Sequence, residues 1–338
     1  MRGLYCSSVD SLSGLSVRDL PDPVPGPGQI VVTVSTASVD YADTLIATGR
    51  YQIKVPPPFV PGNNFAGTVT ETAPDVTAVA VGDRVHGMAL VGAFAEKVAV
   101  DQHAVRCTPI GLSDELACLS GSGYRTAYDA LVSTAFVERG ENVVILGASG
   151  AVGSAAITIA KALGARVIAC ASTQDKLDFC RELGADVGVL YTGADFKDNL
   201  KTHCGGAADV VLDMVGGDYS EPALRATGYG GRFVVVGFAA GTVPRIPLNL
   251  VLLKGSTVKG YEIASFERHH PVQTRANREA LERMLLDGRL TPPITARYDL
   301  DDAVDAVASV AGRDKFGVTV LQVTPRAQHS DNEPKELR

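Results

Sequence analysis

Apolar and polar residues alternate over 29–35 near the start of the chain, which predicts a half-buried strand. The stretches 65–72 and 89–100 are further strand candidates. Residues 82–85, Gly-Asp-Arg-Val, predict a turn that enters a strand. The pattern therefore predicts a β-rich segment that extends to about residue 118.

The middle of the chain, from about 119 to 258, has continuous apolar runs separated by helix-like stretches. Such runs are typical of strands buried on both faces, so an α/β unit with a parallel sheet is expected. A helix over 154–163 follows the first run. The six strand candidates are 143–146, 167–171, 187–190, 210–213, 232–236 and 257–259.

The last part of the chain predicts helices over 274–286 and 300–311 and a strand over 318–323. We therefore expect one domain over 119–258, inserted into a second domain formed by 1–118 and 259–324. Residues 325–338 are polar and are expected to be a disordered tail.

A glycine-rich turn lies between the first two apolar runs. Residues 147–153 read Gly-Ala-Ser-Gly-Ala-Val-Gly, with Gly150 and Gly153 at two of the three positions of the dinucleotide-binding pattern and Ala148 at the first. Glycine lets the backbone approach a pyrophosphate, and the following helix presents free N–H groups to it. Gly150, Ala151, Val152 and Gly153 are therefore the predicted pyrophosphate site.

The end of the second run indicates which dinucleotide is bound. An NAD site usually has an acidic residue about 20 residues after the turn, which binds the ribose 2′-hydroxyl. Here the run ends in Ala171 and continues with Ser172, Thr173 and Lys176, whose donors and charge suit a 2′-phosphate. A helix cap and a solvated lysine are the alternative interpretation. The sequence favours NADPH over NADH.

Composition adds limits to this picture. The 338 residues are 46% hydrophobic and 20% charged, with a net charge of −7 and no long block of one sign. This charge distribution gives no sign of a basic surface that would bind nucleic acid or an anionic membrane. No apolar run is long enough for a bilayer, and the cysteine spacing suits no zinc ribbon. We expect a cytoplasmic enzyme acting on a small molecule, with no metal site.

The chain resembles, over nearly its whole length, the zinc-independent medium-chain dehydrogenases/reductases of the NADPH:quinone oxidoreductase (zeta-crystallin-like) type. This resemblance implies a Rossmann doubly wound parallel sheet inserted into a GroES-like catalytic domain. It also implies a homodimer joined near 257–259. The stretches that carry it are 21–28, 43–51, 61–67, 82–85, 126–131, 183–186, 213–217 and 231–238.

The resemblance also implies residues around NADPH. Lys176, Tyr191 and Arg313, with the donors Ser172 and Thr173, are expected to bind the 2′-phosphate. Tyr191 could instead be a half-buried core tyrosine. Near the nicotinamide, the resemblance implies Thr126 beside the carboxamide, with Gly237 and Phe238 lining the ring.

Zinc-dependent relatives have a cysteine near Asp40 and a His-Glu pair near Asn64, and neither is present here. The resembling family usually has Asn at the position of Asp40 and an acid at that of Asn64. One interpretation is that the carboxylate and the amide have exchanged places within one polar network. The other is that the active site has gained an acid at position 40, and burial could raise the pKa of that acid. Asp40 is therefore a candidate both for catalysis and for contact with the cofactor. Glu262, a further departure, is expected to narrow or polarise the pocket.

Tyr51 and Tyr41 are the candidates for proton transfer. Tyr51 matches the tyrosine that related enoyl-thioester reductases place beside the reacting carbonyl, and Tyr41 follows Asp40. A phenol can donate a hydrogen bond to a developing enolate oxygen and pass on a proton. The alternative is that both tyrosines only pack at the cleft.

Four functions follow from these residues. The first is NADPH-dependent reduction of quinones or related conjugated carbonyl compounds, by hydride transfer. The second is reduction of an enone or enoyl thioester, for which Arg50, Lys54 and Arg245 offer only scattered basic residues at an entrance. A nucleotide-binding protein without turnover and a specialised biosynthetic enzyme on the same scaffold remain open.

Overall fold

The computed structural model describes residues 1–312 and 314–323. The predicted tail and Arg313 lie outside this range. The strands are β1 (Arg2–Cys6), β2 (Leu15–Asp19), β3 (Gln29–Val39), β4 (Asn64–Thr72), β5 (Arg84–Met88), β6 (Lys97–Asp101), β7 (Val105–Cys107), β8 (Asn142–Leu146), β9 (Arg166–Ala171), β10 (Val187–Leu190), β11 (Ala208–Asp213), β12 (Thr227–Val235), β13 (Thr257–Gly260), β14 (Ile294–Asp299) and β15 (Val318–Gln322).

The helices connect these strands, and a π-helical turn over Asp129–Thr134 continues the third of them. They are α1 (Tyr41–Ala47), α2 (Asp114–Leu119), α3 (Ser122–Tyr128), α4 (Ala151–Ala162), α5 (Gln174–Glu182), α6 (Phe196–His203), α7 (Ser220–Ala226), α8 (Leu248–Lys254), α9 (Ile263–His269), α10 (Pro271–Leu286) and α11 (Ala303–Ala311). No helix in the described part of the chain is long and apolar enough to span a membrane.

The six predicted strands of the middle segment are all present. They form one parallel sheet in the order β10-β9-β8-β11-β12-β13. Val143 to Leu146 of the central strand β8 are fully buried, because helices cover both faces. This is the Rossmann-like sheet that the apolar runs predict, and the glycine-rich turn follows its central strand.

Strands β3 to β7 and the last two strands form a second sheet, while β1 and β2 pair with each other in a separate two-stranded sheet. The order of the second sheet is β14-β15-β3-β4-β5-β7, with β6 also paired to β3. Strand β15 pairs antiparallel with β3, Thr319 opposite Val39, so the end of the chain completes the sheet of its beginning. The GroES-like domain is thus built from both ends, with the Rossmann-like sheet inserted between them.

The strand candidate over 89–100 was wrong in most of its length. Only its last residues belong to a strand, β6, and the preceding strand β5 ends at Met88. Gly92 has φ +117°, a conformation that breaks a regular strand, and Phe94 donates its N–H to Pro61 O at 2.9 Å. Ala93 and Phe94 in this loop are buried by tertiary packing instead of by a ladder, whereas Leu90 is exposed.

Helix boundaries also differ from the predictions. Helix α4 begins at Ala151, inside the predicted glycine turn and not at residue 154. The helix predicted over 300–311 begins with a 3₁₀ turn, Leu300–Asp302, before α11. Leu281, Met284 and Leu285 of α10 pack in the same apolar cluster as Val143 and Ile145. The numerical limits of the two domains stay a prediction.

Candidate active site

The turn after β8 has a different requirement at each glycine. Gly147 has φ +73°, which L side chains rarely adopt. A Cβ on Gly153 would lie 2.2 Å from Gly147 O and 2.6 Å from Ala148 Cα, so only glycine allows helix α4 to pack this closely on the strand. Two of the three glycines are therefore explained by the protein's own packing.

Gly150 is not explained in that way. It is the N-cap of α4, and a Cβ there would meet nothing closer than Gly147 O at 3.5 Å. The N–H groups of Ala151, Val152 and Gly153 form the first turn of α4, where backbone donors have no partner within the helix. The open space at Gly150, beside the first turn of α4, leaves room for a pyrophosphate. The pyrophosphate site itself stays a prediction.

The end of β9 brings two of the predicted phosphate-binding side chains together. Lys176 Nζ lies 3.4 Å from Ser172 Oγ. Burial lowers the pKa of Lys176, and the charge of Asp314 opposes this shift. Thr173 is the N-cap of α5 and accepts a hydrogen bond from Lys176 N at 3.4 Å, so the alternative interpretation of a helix cap is correct for this residue.

Tyr191 follows β10 and is half-buried. Its ring lies 4.5 Å from that of Tyr219 and 6.4 Å from that of Phe196, between centroids, while its N–H donates to Ala171 O. The tyrosine thus stands beside the end of β9, although its ring packs on aromatic neighbours. Arg313, the last residue of the predicted phosphate site, lies outside the described residues.

Asp40 is the centre of a buried hydrogen-bond network. Its Oδ2 accepts from Asn64 Nδ2 at 2.7 Å and from Ser122 Oγ at 2.8 Å. Ser38 Oγ donates to the same oxygen at 3.0 Å. Asn64 in turn accepts from Ser122 N at 2.9 Å. The carboxylate and the amide that depart from the family pattern are in direct contact, as the exchange of partners requires.

A second carboxyl group, Asp43, lies directly behind this network and is fully buried. Its Oδ2 accepts from Asp40 N at 2.7 Å, and its Oδ1 has no hydrogen-bond partner in the described part of the chain. Burial, and then the charge of Asp40, raise the pKa of Asp43 well above its ordinary value. Lys315 faces both carboxyl groups, and burial lowers the pKa of its ammonium.

The two candidate tyrosines differ in exposure. Tyr51 is half-buried, and burial raises the pKa of its phenol, with further contributions from the charges of Glu262 and Asp43. Tyr41 is 38% exposed at the start of α1. Glu262 caps α9, where it accepts from Ala264 N and Ser265 N. From the sequence, Glu262 is expected to narrow or to polarise the pocket. Its charge acts on Tyr51, which supports polarisation of this region.

The residues predicted near the nicotinamide lie on two elements. Thr126 is buried on α3, one turn after Ser122. Gly237 follows β12, and its N–H donates to Asp213 O at 3.2 Å. Phe238 is 39% exposed and lies against Gly216, where an added Cβ would be 2.8 Å from Phe238 Cδ1.

The Asp40 network does not fit a zinc ion. It offers one carboxylate, already bound by three donors, with an amide and two hydroxyls, whereas zinc prefers thiolate, imidazole or free carboxylate ligands. Among the residues that the structure describes, no group of three or more His, Cys, Asp or Glu side chains could hold a metal.

The sequence did not single out Ser38, Asp43, Ser122 or Lys315. Asp43 carried a usable signal, because an acid three residues after an N-cap aspartate forms a capping box, here through Asp40 N. The two serines and Lys315 reach the site only through tertiary packing, which no local pattern reports.

Comparisons with known proteins agree with this fold. Residues 151–278 match a family described as zinc-binding dehydrogenase, and residues 26–112 match the alcohol dehydrogenase GroES-like domain. Quinone oxidoreductase-like protein 2 of Bos taurus is 36% identical over 306 residues, which are 90% of this chain and 87% of that protein.

A solved structure and a much larger protein are also similar. The quinone oxidoreductase of Thermus thermophilus, solved alone and with NADPH, has a TM-score of 0.79 at 30% identity, covering 96% of this chain and 100% of that one. A mycocerosic acid synthase-like polyketide synthase of Mycobacterium tuberculosis is 30% identical over 311 residues, which are 90% of this chain but 14% of the synthase.

Proposed function

This chain belongs to the medium-chain dehydrogenase/reductase family, of the quinone oxidoreductase type, and from that premise we propose that it is a zinc-independent, NADPH-dependent reductase of quinones or related conjugated carbonyl compounds. The observation that carries the proposal is the Asp40–Asn64–Ser122 hydrogen-bond network; the family resemblance implies that zinc-dependent relatives have metal ligands near the positions of Asp40 and Asn64. A reductase without a metal has to stabilise the acceptor's charge with hydrogen-bond donors alone.

The cofactor side of the proposal rests on the turn and on the end of β9. Open space above Gly150 leaves room for a pyrophosphate, and the Lys176–Ser172 pair supplies positive charge and a donor for a 2′-phosphate. No acidic residue ends β9, where an NAD site would hold the ribose 2′-hydroxyl. The similar Thermus thermophilus structure includes a complex with NADPH.

Bound NADPH would supply the hydride. Adding a hydride to a quinone or to a conjugated double bond builds negative charge on a carbonyl oxygen, and Tyr51 is the donor that we propose for this oxygen. Its raised pKa keeps the phenol protonated, so it can donate a hydrogen bond. Three donors compensate the charge of Asp40, and the raised pKa of Asp43 favours its neutral form. Repulsion of the developing anion is thereby reduced.

Enoyl-thioester or enone reduction is the second candidate. One observation favours it: the similar segment of the Mycobacterium tuberculosis polyketide synthase covers 90% of this chain. The chemistry is close, because the hydride again goes to the β position of a conjugated carbonyl. The two candidate functions differ only in the acceptor that is reduced, so rates with different acceptors are needed to tell them apart.

The experiment is the initial rate of NADPH oxidation by the purified protein, with an ortho-quinone, a simple enone and an enoyl-CoA in parallel. We expect the quinone to be reduced fastest. Faster reduction of the enoyl-CoA would establish the second candidate. NADPH binding, followed by its fluorescence, without turnover of any acceptor would contradict both and favour a non-enzymatic or specialised biosynthetic role.

A homodimer is a further part of the proposal. Strand β13 ends the parallel sheet with its backbone edge unpaired in the described residues, and all four of its residues are exposed. Leu252 and Leu253 of the adjacent helix α8 are 80% and 73% exposed. Light scattering of the wild type and of Leu252→Asp tests it, because a dimer through this edge should dissociate in the variant. The cytoplasmic location stays a prediction.

A further inference from the structure

Lys315 is a charged residue beside the candidate active site to which the proposed mechanism gives no role. It lies between α11 and β15 and is partly buried. Strand β15 pairs antiparallel with β3, with Thr319 opposite Val39. Asp40 follows Val39 directly, so the chain just before β15 runs beside Asp40 and the start of α1. The register of these two strands therefore brings Lys315 to the Asp40 network.

Contacts on two sides hold the backbone that carries Lys315. Gly317 donates its N–H to Ser149 O, in the glycine-rich turn, at 2.8 Å. Thr295 Oγ1, on β14, donates to Phe316 O at 2.6 Å. The lysine is thus attached to a segment that is fixed both to the nucleotide turn and to the GroES-like sheet.

The charge of Lys315 acts on the acidic pair formed by Asp40 and Asp43. Burial lowers the pKa of Lys315, and the charges of both carboxyl groups oppose this shift. The effect is mutual, because the charge of Lys315 opposes the rise that burial causes in the pKa of Asp43. Carboxyl groups that face a partly buried lysine favour its charged form. The three groups are therefore coupled, and a change at one of them alters the charge at the others.

Lys315 also affects the balance of charge around Tyr51, the proposed proton donor. The groups that donate to Asp40 are an amide and two hydroxyls, which stabilise its carboxylate without removing its charge. Besides burial, the charges of Glu262 and Asp43 raise the pKa of Tyr51, so Tyr51 stands close to the acidic pair. An acceptor that becomes negative beside Tyr51 would meet negative charge unless Lys315 compensates it.

We propose that Lys315 is a positioning residue for the reduction, because its ammonium balances the charge of Asp40 and leaves the acidic pair without net negative charge. The inference rests on the proposed function, in which the carbonyl oxygen of the acceptor becomes negative when the acceptor receives the hydride. An uncompensated carboxylate nearby would raise the energy of that anion, since charges interact strongly where water is partly excluded. Removing the charge of Asp40 should therefore remove the need for Lys315.

Steady-state kinetics with the acceptor that wild type reduces fastest tests this role. Lys315→Met should lower kcat roughly 10- to 100-fold, the effect of an uncompensated charge a few ångströms from the reacting oxygen. The dissociation constant of NADPH, measured by fluorescence, should change by less than about twofold, because the interaction acts on the reaction and not on cofactor binding. Lys315→Arg keeps the charge and should keep most of kcat. The double variant Lys315→Met/Asp40→Asn should recover most of the loss, because neither charge remains.

Urea unfolding without cofactor or acceptor tests the charge balance itself. Lys315→Met leaves Asp40 without its cation, whereas in the Asp40→Asn background it removes a cation that has lost its partner. We expect Lys315→Met to shift the urea midpoint less favourably in the first background than in the second, by roughly 0.5 M. Lys197→Met is the control, since this lysine on α6 is 41% exposed and pairs with its neighbour Asp198. It should give the same shift in both backgrounds.

The outcomes separate this role from the proposed function. Unchanged kcat in Lys315→Met, no recovery in the double variant, or equal urea shifts in both backgrounds would overturn the role of Lys315 alone. Weaker NADPH binding with an unchanged kcat would also overturn it, because Lys315 would then bind the cofactor. A wild type that reduces no acceptor would overturn the proposed function and this role together.

Discussion

The contact between Asp40 and Asn64 allows a quantitative test by exchanging the two side chains. Asn64→Asp replaces the amide nitrogen, 2.7 Å from Asp40 Oδ2, by a carboxylate oxygen in a fully buried position. Two carboxylates at this distance cannot both ionise, so one has to take up a proton. The expected loss of stability is therefore set by the cost of that proton at the working pH.

The magnitude follows from the ordinary pKa of a carboxyl group. Protonating a group with a pKa of about 3.9 at pH 7 costs about 4 kcal/mol, and the cost falls by about 1.4 kcal/mol for each pH unit. We expect Asn64→Asp to lose about 4 kcal/mol of unfolding free energy at pH 7 and about 2 kcal/mol at pH 5.5. Asp40→Asn keeps an acceptor for the serines and should lose only about 1–2 kcal/mol.

The double variant Asp40→Asn/Asn64→Asp restores one carboxylate and one amide. Its loss should be about 1–2 kcal/mol, far below the sum of the two single losses, because the pair is coupled. Urea unfolding followed by circular dichroism at both pH values measures all three variants. Asn199→Asp, on the exposed face of α6, is the control and should change stability by less than about 0.5 kcal/mol. Additive losses, or an Asn64→Asp loss that does not change with pH, would refute the reasoning.

Four further predictions concern single positions. Lys176→Ala should reduce the preference for NADPH over NADH in kcat/KM by roughly 10- to 100-fold, since a charge-assisted hydrogen bond contributes about 1.5–3 kcal/mol, whereas Arg181→Ala on the same helix should not. Gly153→Ala should lower the free energy of unfolding in urea by about 1–3 kcal/mol or more, because its Cβ would lie 2.2 Å from the backbone oxygen of Gly147. Gly150→Ala should unfold like wild type but bind NADPH more weakly in a fluorescence titration. Asp43 binds a proton more tightly in the folded state, so the protonated group stabilises the fold below its unfolded pKa, and this contribution is lost as pH rises through its raised folded pKa. Asp43→Asn should therefore reduce the change of unfolding free energy between pH 4 and 8. An unchanged pH profile would count against a raised pKa of Asp43. Tyr51→Phe should lower kcat at least 100-fold with an unchanged urea midpoint, and Tyr41→Phe should lower it less.

The parallel sheet could be predicted from the sequence because its signal is local. Its inner strands β8, β9 and β11 are buried on both faces, so each appears as an uninterrupted apolar run followed by a turn. Most of the segment 89–100 has the same apolar character but packs as a loop around Gly92, and only its last residues belong to β6. Its burial comes from contacts with residues near 61, and a periodicity argument cannot separate such a loop from a strand.

The candidate site divides in the same way. The glycine turn and the end of β9 could be predicted because each lies within a few residues of a strand end. The neighbours of Asp40 could not, since Asn64 is 24 and Ser122 is 82 positions away.

The position of β15 has a consequence for how the chain folds during synthesis. All strands of the parallel sheet lie between Asn142 and Gly260, so this sheet has its full complement while the ribosome is still making the last part of the chain. Strand β3 has to wait for Val318–Gln322, its partner along Thr36–Val39. Until then this half of β3 presents an open edge, the kind of surface on which nascent chains aggregate. The inserted unit can therefore fold before the GroES-like domain that encloses it, and chaperone binding to nascent chains should be strongest before the last strand emerges.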